Sequence, residues 1–165
     1  MQPLEYTRGR FTISTDKARL QVALIHDYLT NQSYWAQRVP LAIVQKSIEH
    51  SLCFGVYDDQ QQIGFCRVIT DFATFAYLAD VFILEAYQGQ GLGKWLIETV
   101  VAHPELQTLR RWLLATQDAH SLYAQYGFGP LGDPSRFMTR HRPNVYVEIE
   151  NSENSDNTDK KSDAV

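Results

Sequence analysis

Between Gln88 and Lys94 the chain reads Gln-Gly-Gln-Gly-Leu-Gly-Lys, a turn with three glycines. The run Phe75–Leu84 before it is almost continuously apolar, and Leu92, Trp95, Leu96, Thr99 and Val100 after it recur at helical spacing. A buried strand, a glycine turn and a helix, in that order, gather backbone N–H groups at a helix N-terminus, where the dipole favours an anion. Glycine lets the backbone approach a phosphate closely, and Lys94 adds a positive charge nearby. Two phosphate-binding patterns fail on spacing. A P-loop requires Gly at Gln88 and Ser or Thr at Trp95, and a dinucleotide fingerprint requires Gly at Lys94. The plain alternative is a tight turn whose glycines serve packing.

Asp80 is the other residue of chemical interest in this region. It interrupts the apolar run, and burying a carboxylate without a partner is costly. It is therefore a candidate base, with an ion pair to an arginine or a cap from backbone N–H as the structural alternative. Strict strand alternation puts Asp80 on the face of Leu78 and Phe82, and a bulge would reverse that parity. Cys53 and Cys66 lie in separate apolar segments without C-x-x-C spacing, which fits two reduced, buried thiols. The five histidines are scattered and none pairs at metal-ligand spacing, so no metal is expected.

These residues need elements to position them. Phe11–Ser14 alternates as a strand, and Asp16 can cap a helix carrying Leu20, Leu24 and Tyr28. A second helix starts near Pro40 with Leu41, Val44, Ile48 and Leu52 on one face. Cys53–Tyr57 and Ile63–Ile69, joined by a polar turn, form a hairpin, and Phe75–Leu84 is the buried strand. After the glycine turn and its helix come a strand at Arg111–Thr116 and a short helix at Ser121–Tyr126 ended by Gly127. Phe137–Arg140 and Asn144–Ile149 read as closing strands. The order is that of an α/β protein, a mixed sheet flanked by helices in a single domain.

The 165 residues, 44% hydrophobic and 21% charged, suit one soluble globular domain. The polar N-terminus has no apolar signal core and no stretch is long enough to span a bilayer, so a cytoplasmic location without a membrane partner is expected. Composition changes after Ile149: residues 1–149 form the domain. Residues 150–165 hold five acids against two lysines and read as a disordered acidic tail. Most of the net charge of −4 therefore belongs to the tail, and the near-neutral domain lacks the basic footprint of a nucleic-acid binder.

Gln88-x-x-Gly91-x-Gly93 matches the Q/R-x-x-G-x-G/A motif of the GNAT superfamily of acyl-CoA-dependent N-acetyltransferases. The segment Ala119-His120-Ser121-Leu122-Tyr123, continuing to Gly127-Phe128, is similar to that family's A-x-x-LY-x-x-x-GF stretch, about 30 residues downstream. The resemblance covers nearly the whole of residues 1–149 and implies a GNAT fold. It implies that the backbone of Val81, Phe82 and Ile83 pairs with the pantetheine arm of acetyl-CoA. The turn residues Gln88, Gly89, Gln90, Gly91, Leu92, Gly93 and Lys94 would then hold the pyrophosphate. Tyr123 takes the position of the general acid, and Asp80 lies in a stretch, Tyr77-Leu78-Ala79-Asp80, resembling the YLED segment of diamine-type members, with Ala79 replacing the Glu. The acceptor pocket would draw on Tyr28, Asn31, Tyr34, Trp35, Arg38, Phe72, Phe75 and Tyr77, of which Tyr34, Trp35, Phe75 and Tyr77 are the substrate-binding candidates. This aromatic set suits a small aromatic or cationic amine. The activity implied is transfer of an acetyl group to the amine of a small molecule or a peptide terminus, by direct attack in a ternary complex. A catalytically silent acyl-CoA sensor is the alternative, and a homodimer is common in the family.

Overall fold

The computed structural model describes residues 2–152. Six strands form one sheet in the order β1 to β6: Glu5–Arg8, Phe11–Ser14, Leu52–Asp58, Gln61–Thr70, Phe75–Ile83 and Arg111–Leu113. All neighbours are antiparallel except β5 and β6, which run parallel. The helices are α1 (Val22–Asp27), α2 (Leu41–Glu49), α3 (Leu92–Val101), α4 (His120–Ala124) and α5 (145–152). This is the mixed, helix-flanked sheet of the GNAT fold.

The two faces of the sheet bury separate cores. One packs α3, through Leu92, Trp95, Leu96, Ile97 and Val100, against Phe54, Val68, Ala76 and Leu78. The other packs α1 and α2, through Ile25, Val44 and Ile48, against Cys53, Phe65 and Phe82.

Several elements depart from the sequence reading. β1 has only Tyr6 to pack and contributes through its backbone ladder to β2, so no hydrophobic pattern announces it. The first helix is interrupted. Asp16 caps a 3-10 turn at Lys17–Arg19, α1 follows from Val22, and a π-turn spans Tyr28–Gln32. Neither closing strand forms. Phe137–Arg140 joins no strand among the described residues, and β6 remains a sheet edge. The alternating Val145, Val147 and Ile149 sit in α5, where Val145, Tyr146 and Ile149 supply a half-buried stripe at helical spacing. Glu150 belongs to that helix and ion-pairs with Arg38, so the helix runs past the expected boundary at residue 149. The rest of the expected acidic tail, residues 153–165, lies outside the described residues.

Candidate acyl-transfer site

β5 pairs with β6 only from Phe75 to Tyr77, whereas it continues alongside β4 to Ile83. Beyond Leu113 the two parallel strands separate, leaving one edge of Val81, Phe82 and Ile83 without a strand partner. A cleft of about 760 Å³ opens there, bounded by this edge, by Tyr87–Gly89 and Gly91–Lys94 of the turn, and by Leu122 and Tyr123 of α4.

The turn is shaped for an anion. Gly89 and Gly91 hold φ of +75° and +77°, in the left-handed region glycine tolerates best. Gly91 is the N-cap of α3, whose helical ladder begins with Trp95 N–H donating to the Gly91 carbonyl at 3.0 Å. The amides of Leu92, Gly93 and Lys94 precede that first bond, so they are free to face a ligand. Gln88 donates from Nε2 to the Ile83 carbonyl at 2.9 Å, which ties the end of β5 to the turn. The strand edge and turn fit the pantetheine arm and pyrophosphate of acetyl-CoA.

Tyr123 stands where the cleft meets a second cavity of about 440 Å³. The residue is 8% exposed, and its ring packs edge-on to Phe128, with centroids 6.0 Å apart. Gly127, at φ +84°, ends α4 in a Schellman cap: Phe128 N–H donates to the Tyr123 carbonyl and Gly127 N–H to the Ala124 carbonyl. The Tyr126 hydroxyl donates to the Lys94 carbonyl at 2.8 Å, so α4 is pinned to the first turn of α3. Burial, with smaller contributions from Cys66, Tyr34 and Asp118, pushes the Tyr123 phenol up to about 12. Its hydroxyl has no hydrogen-bond partner among the described residues.

Asp80 lies at a β-bulge. Phe65 faces Phe82 and Arg67 faces Ala79, so three steps on β5 oppose two on β4. Asp80 takes φ +53°, a left-handed value unusual for a non-glycine residue. The bulge reverses the alternation: Leu78 belongs to the α3 core and Phe82 to the α1–α2 core, so they do not share a face as strict alternation predicts. Asp80 lines the second cavity with Tyr77 and Ala79. One carboxylate oxygen accepts from Trp35 Nε1–H at 3.1 Å and the other is ion-paired with Arg67 Nε. Arg67 also donates from Nη1 to Ser51 Oγ at 3.3 Å. Of the two sequence readings, the ion pair is therefore present, and Asp80 also faces the cavity.

The second cavity brings together Tyr34, Trp35 and Tyr77. Tyr34 bridges the α1–α2 connection to the segment after β6, its hydroxyl accepting from Gln117 N–H at 2.9 Å. Phe75 pairs with Arg111 at the start of β5 and lines neither cavity, so it is not brought together with the other three candidates. Tyr28 stacks on Phe82 at 3.8 Å in the lining of the first cleft, Asn31 bonds Asp27, and Arg38 pairs with Glu150. Among the lining residues that escaped the sequence reading are Arg67, Asp118 and Tyr146. Arg67 had a findable signal, because a buried Asp80 implies a cation on a neighbouring strand. Tyr146 had none, because its helix read as a strand.

Among the described residues no group of three or more His, Cys, Asp or Glu is placed to hold a metal ion, and no helix is long and apolar enough to cross a membrane.

Comparison with known proteins agrees with this geometry. A sequence model described as an acetyltransferase (GNAT) domain matches residues 49–130. A Gibberella zeae protein provisionally assigned as an acetyltransferase is 34% identical over 146 residues, 75% of this chain and 81% of its own. A crystal structure from Xanthomonas campestris pv. campestris, provisionally assigned to the GNAT family, is 51% identical with a TM-score of 0.80, over 82% of this chain and 96% of that one. A GNAT family acetyltransferase from Elizabethkingia anophelis, solved with acetyl-CoA bound, shares the fold at a TM-score of 0.54 and 17% identity, over 72% and 76% of the two chains. The chain belongs to the GNAT acetyltransferase family. It is an N-acetyltransferase, of the acyltransferase class EC 2.3.1.

Proposed function

We propose that the protein transfers the acetyl group of acetyl-CoA directly to the amine of a small molecule, with Tyr123 donating to the departing sulfur. The observation that carries this reading is the meeting of two cavities at one phenol. The donor cleft and the aromatic cavity share Tyr34, Trp35, Val81, Asp118, Ala119 and Tyr123. A thioester laid along β5 toward that junction meets an amine entering from the other side.

In the reaction the amine nitrogen bonds to the thioester carbon, the carbon–sulfur bond breaks, and the proton lost by nitrogen balances the one gained by sulfur. An alkylamine of pKa about 10.4 is neutral in only about one molecule in 2,500 at pH 7, a deficit of roughly 4.6 kcal/mol. Asp80 lines the acceptor cavity and each of its oxygens keeps further accepting capacity beyond its present bond, so it can take up the amine's N–H. A phenol at about 12 stays protonated throughout the neutral range. Full transfer from it to a free thiolate of pKa about 8.5 is uphill by about 5 kcal/mol. Tyr123 therefore donates a hydrogen bond as the carbon–sulfur bond lengthens, and delivers its proton as the amine yields one.

No acyl-enzyme is required. Burial pushes the Cys53 thiol up to about 12 and holds Cys66 well above its ordinary value, and neither lines the cleft or the cavity.

The test is calorimetric titration with acetyl-CoA followed by assay of free thiol with a panel of amines. Binding plus thiol release with an amine is the expected result. Binding without release across the panel would favour a silent acyl-CoA sensor, and no binding would remove the donor-cleft assignment.

A further inference from the structure

The acceptor cavity draws part of its lining from outside the segment that matches the GNAT domain, residues 49–130: Tyr34 and Trp35 precede that segment and Tyr146 follows it. Tyr146, on α5, lines the cavity beside Trp35, Arg67 and Asp80, and packs against the α1–α2 core. α5 is secured at two points. Its half-buried stripe of Val145, Tyr146 and Ile149 faces the protein, and Glu150 one turn beyond Tyr146 pairs with Arg38. Arg38 follows Tyr34 and Trp35 in the α1–α2 connection, and its φ of +62° marks a sharp change of chain direction there. The same connection thus carries two aromatic walls of the cavity and the cation that holds the helix bearing a third.

Charge narrows what such a cavity takes. Among its titratable lining groups are one guanidinium, Arg67, and two carboxylates, Asp80 and Asp118, leaving a single net negative charge. Asp80 is already matched to Arg67, which leaves Asp118 to balance a ligand. A polycation would meet too few carboxylates, whereas one ammonium is balanced. The remaining wall of Tyr34, Trp35, Tyr77 and Tyr146 is flat and amphipathic, suited to an unsaturated ring stacked face-on or edge-on.

We infer that Tyr146 is a specificity-determining residue and that α5 restricts the acceptor to monoamines with a flat apolar body, the arylalkylamines. This rests on the acetyl-transfer reading above and adds the substrate class and the residue that selects it.

The experiment uses the full chain, with 2-phenylethylamine, butylamine and the diamine 1,4-diaminobutane as probes. Amine binding is measured by calorimetry in the presence of CoA, which cannot react, and turnover by thiol release from acetyl-CoA. The wild type is expected to bind 2-phenylethylamine at least tenfold more tightly than either aliphatic amine. Tyr146→Ala is expected to raise Kd and KM for 2-phenylethylamine at least fivefold. Its affinity for acetyl-CoA, whose cleft Tyr146 does not line, should stay within about twofold, and its preference for 2-phenylethylamine over butylamine should fall at least fivefold. Tyr146→Phe, which keeps the ring, is expected to restore the preference. Equal affinity for the three amines, or a Tyr146→Ala variant with unchanged 2-phenylethylamine binding, would overturn the inference while acetyl-CoA binding still held. Loss of acetyl-CoA binding in the wild type itself would overturn the underlying transfer reading and this inference with it.

Discussion

Tyr123 and Asp80 face each other's chemistry with opposite degrees of commitment. The phenol has no hydrogen-bond partner among the described residues, while both oxygens of the carboxylate are engaged, by Trp35 and by Arg67. Removing the Tyr123 hydroxyl should therefore cost catalysis and little else. Tyr123→Phe is expected to lower kcat by about 10²-fold, the lower end of general acid–base contributions, with acetyl-CoA affinity unchanged. Because burial pushes the phenol up to about 12, the variant's pH–rate profile should keep the wild-type shape up to pH 9. A lost basic limb would assign that limb to Tyr123 and contradict the environment described here. Asp80→Asn should behave differently, since it also leaves the Arg67 guanidinium, only 17% exposed, without its counter-charge. Its expected signature is a moved acidic limb of kcat/KM together with reduced stability in urea; an unmoved limb would make Asp80 a purely positioning residue.

At the scale of the element, the site depends on how β4 carries β5. Gly64 pairs with Ile83, and a Cβ at Gly64 would lie 2.5 Å from Ile83 Cδ1 and 2.8 Å from the Phe82 carbonyl. The isoleucine terminus can rotate away, but the carbonyl is backbone and cannot give without moving β5. Gly64→Ala is expected to destabilise the fold by roughly 1–3 kcal/mol, the range for overpacking a tight site. It should also weaken acetyl-CoA binding, because the displaced residues are those whose free edge faces the donor cleft. Urea unfolding and calorimetry on the same variant test both effects. Loss of stability with intact affinity would separate the strand's packing from its role in binding. The bulge at Asp80 is the other element-scale device. A single extra residue turns the carboxylate toward the acceptor cavity and sends Val81 and Ile83 back to the α3 core.

Across the whole molecule, the two cores on either side of the sheet meet different electrostatic demands. The α3 side holds His103, fully buried, edge-on to Phe54 at 5.5 Å, its Nδ1 accepting from Glu105 N–H at 3.3 Å. Its Nε2 has no partner among the described residues. Burial holds the imidazole below its ordinary value, with Glu105 opposing the shift. In the unfolded chain the ring takes up a proton near pH 6.5, whereas the folded ring resists until lower pH. Between those points the unfolded state binds more protons, so the contribution to stability is present above about pH 6.5 and is lost as pH falls. The urea midpoint is expected to drop between pH 7 and pH 5, and His103→Leu should flatten that slope. A slope identical in the two proteins would assign the acid sensitivity to other groups.

The sequence by itself determined the family and the strand–turn–helix that borders the cleft, and it singled out Tyr123, which lines that cleft. Those features are local: a glycine at a left-handed N-cap, an apolar run and a helical stripe are each written in adjacent residues. Three features depend on contacts distant in the chain and were decided only by tertiary structure. β1 exists because β2 offers it a ladder, not because its own residues demand burial. Asp80 reaches the acceptor cavity because β5 gains a residue against β4, and its partners Trp35 and Arg67 come from 45 and 13 residues away. Val145, Val147 and Ile149 alternate as a strand would, yet with no strand beside them they coil into α5. There the burial of Tyr146 and Ile149 on one side, and the pairing of Glu150 with Arg38, outweigh the β-branched preference. Local pattern sets what a segment can become; which partner its backbone and side chains meet sets what it is.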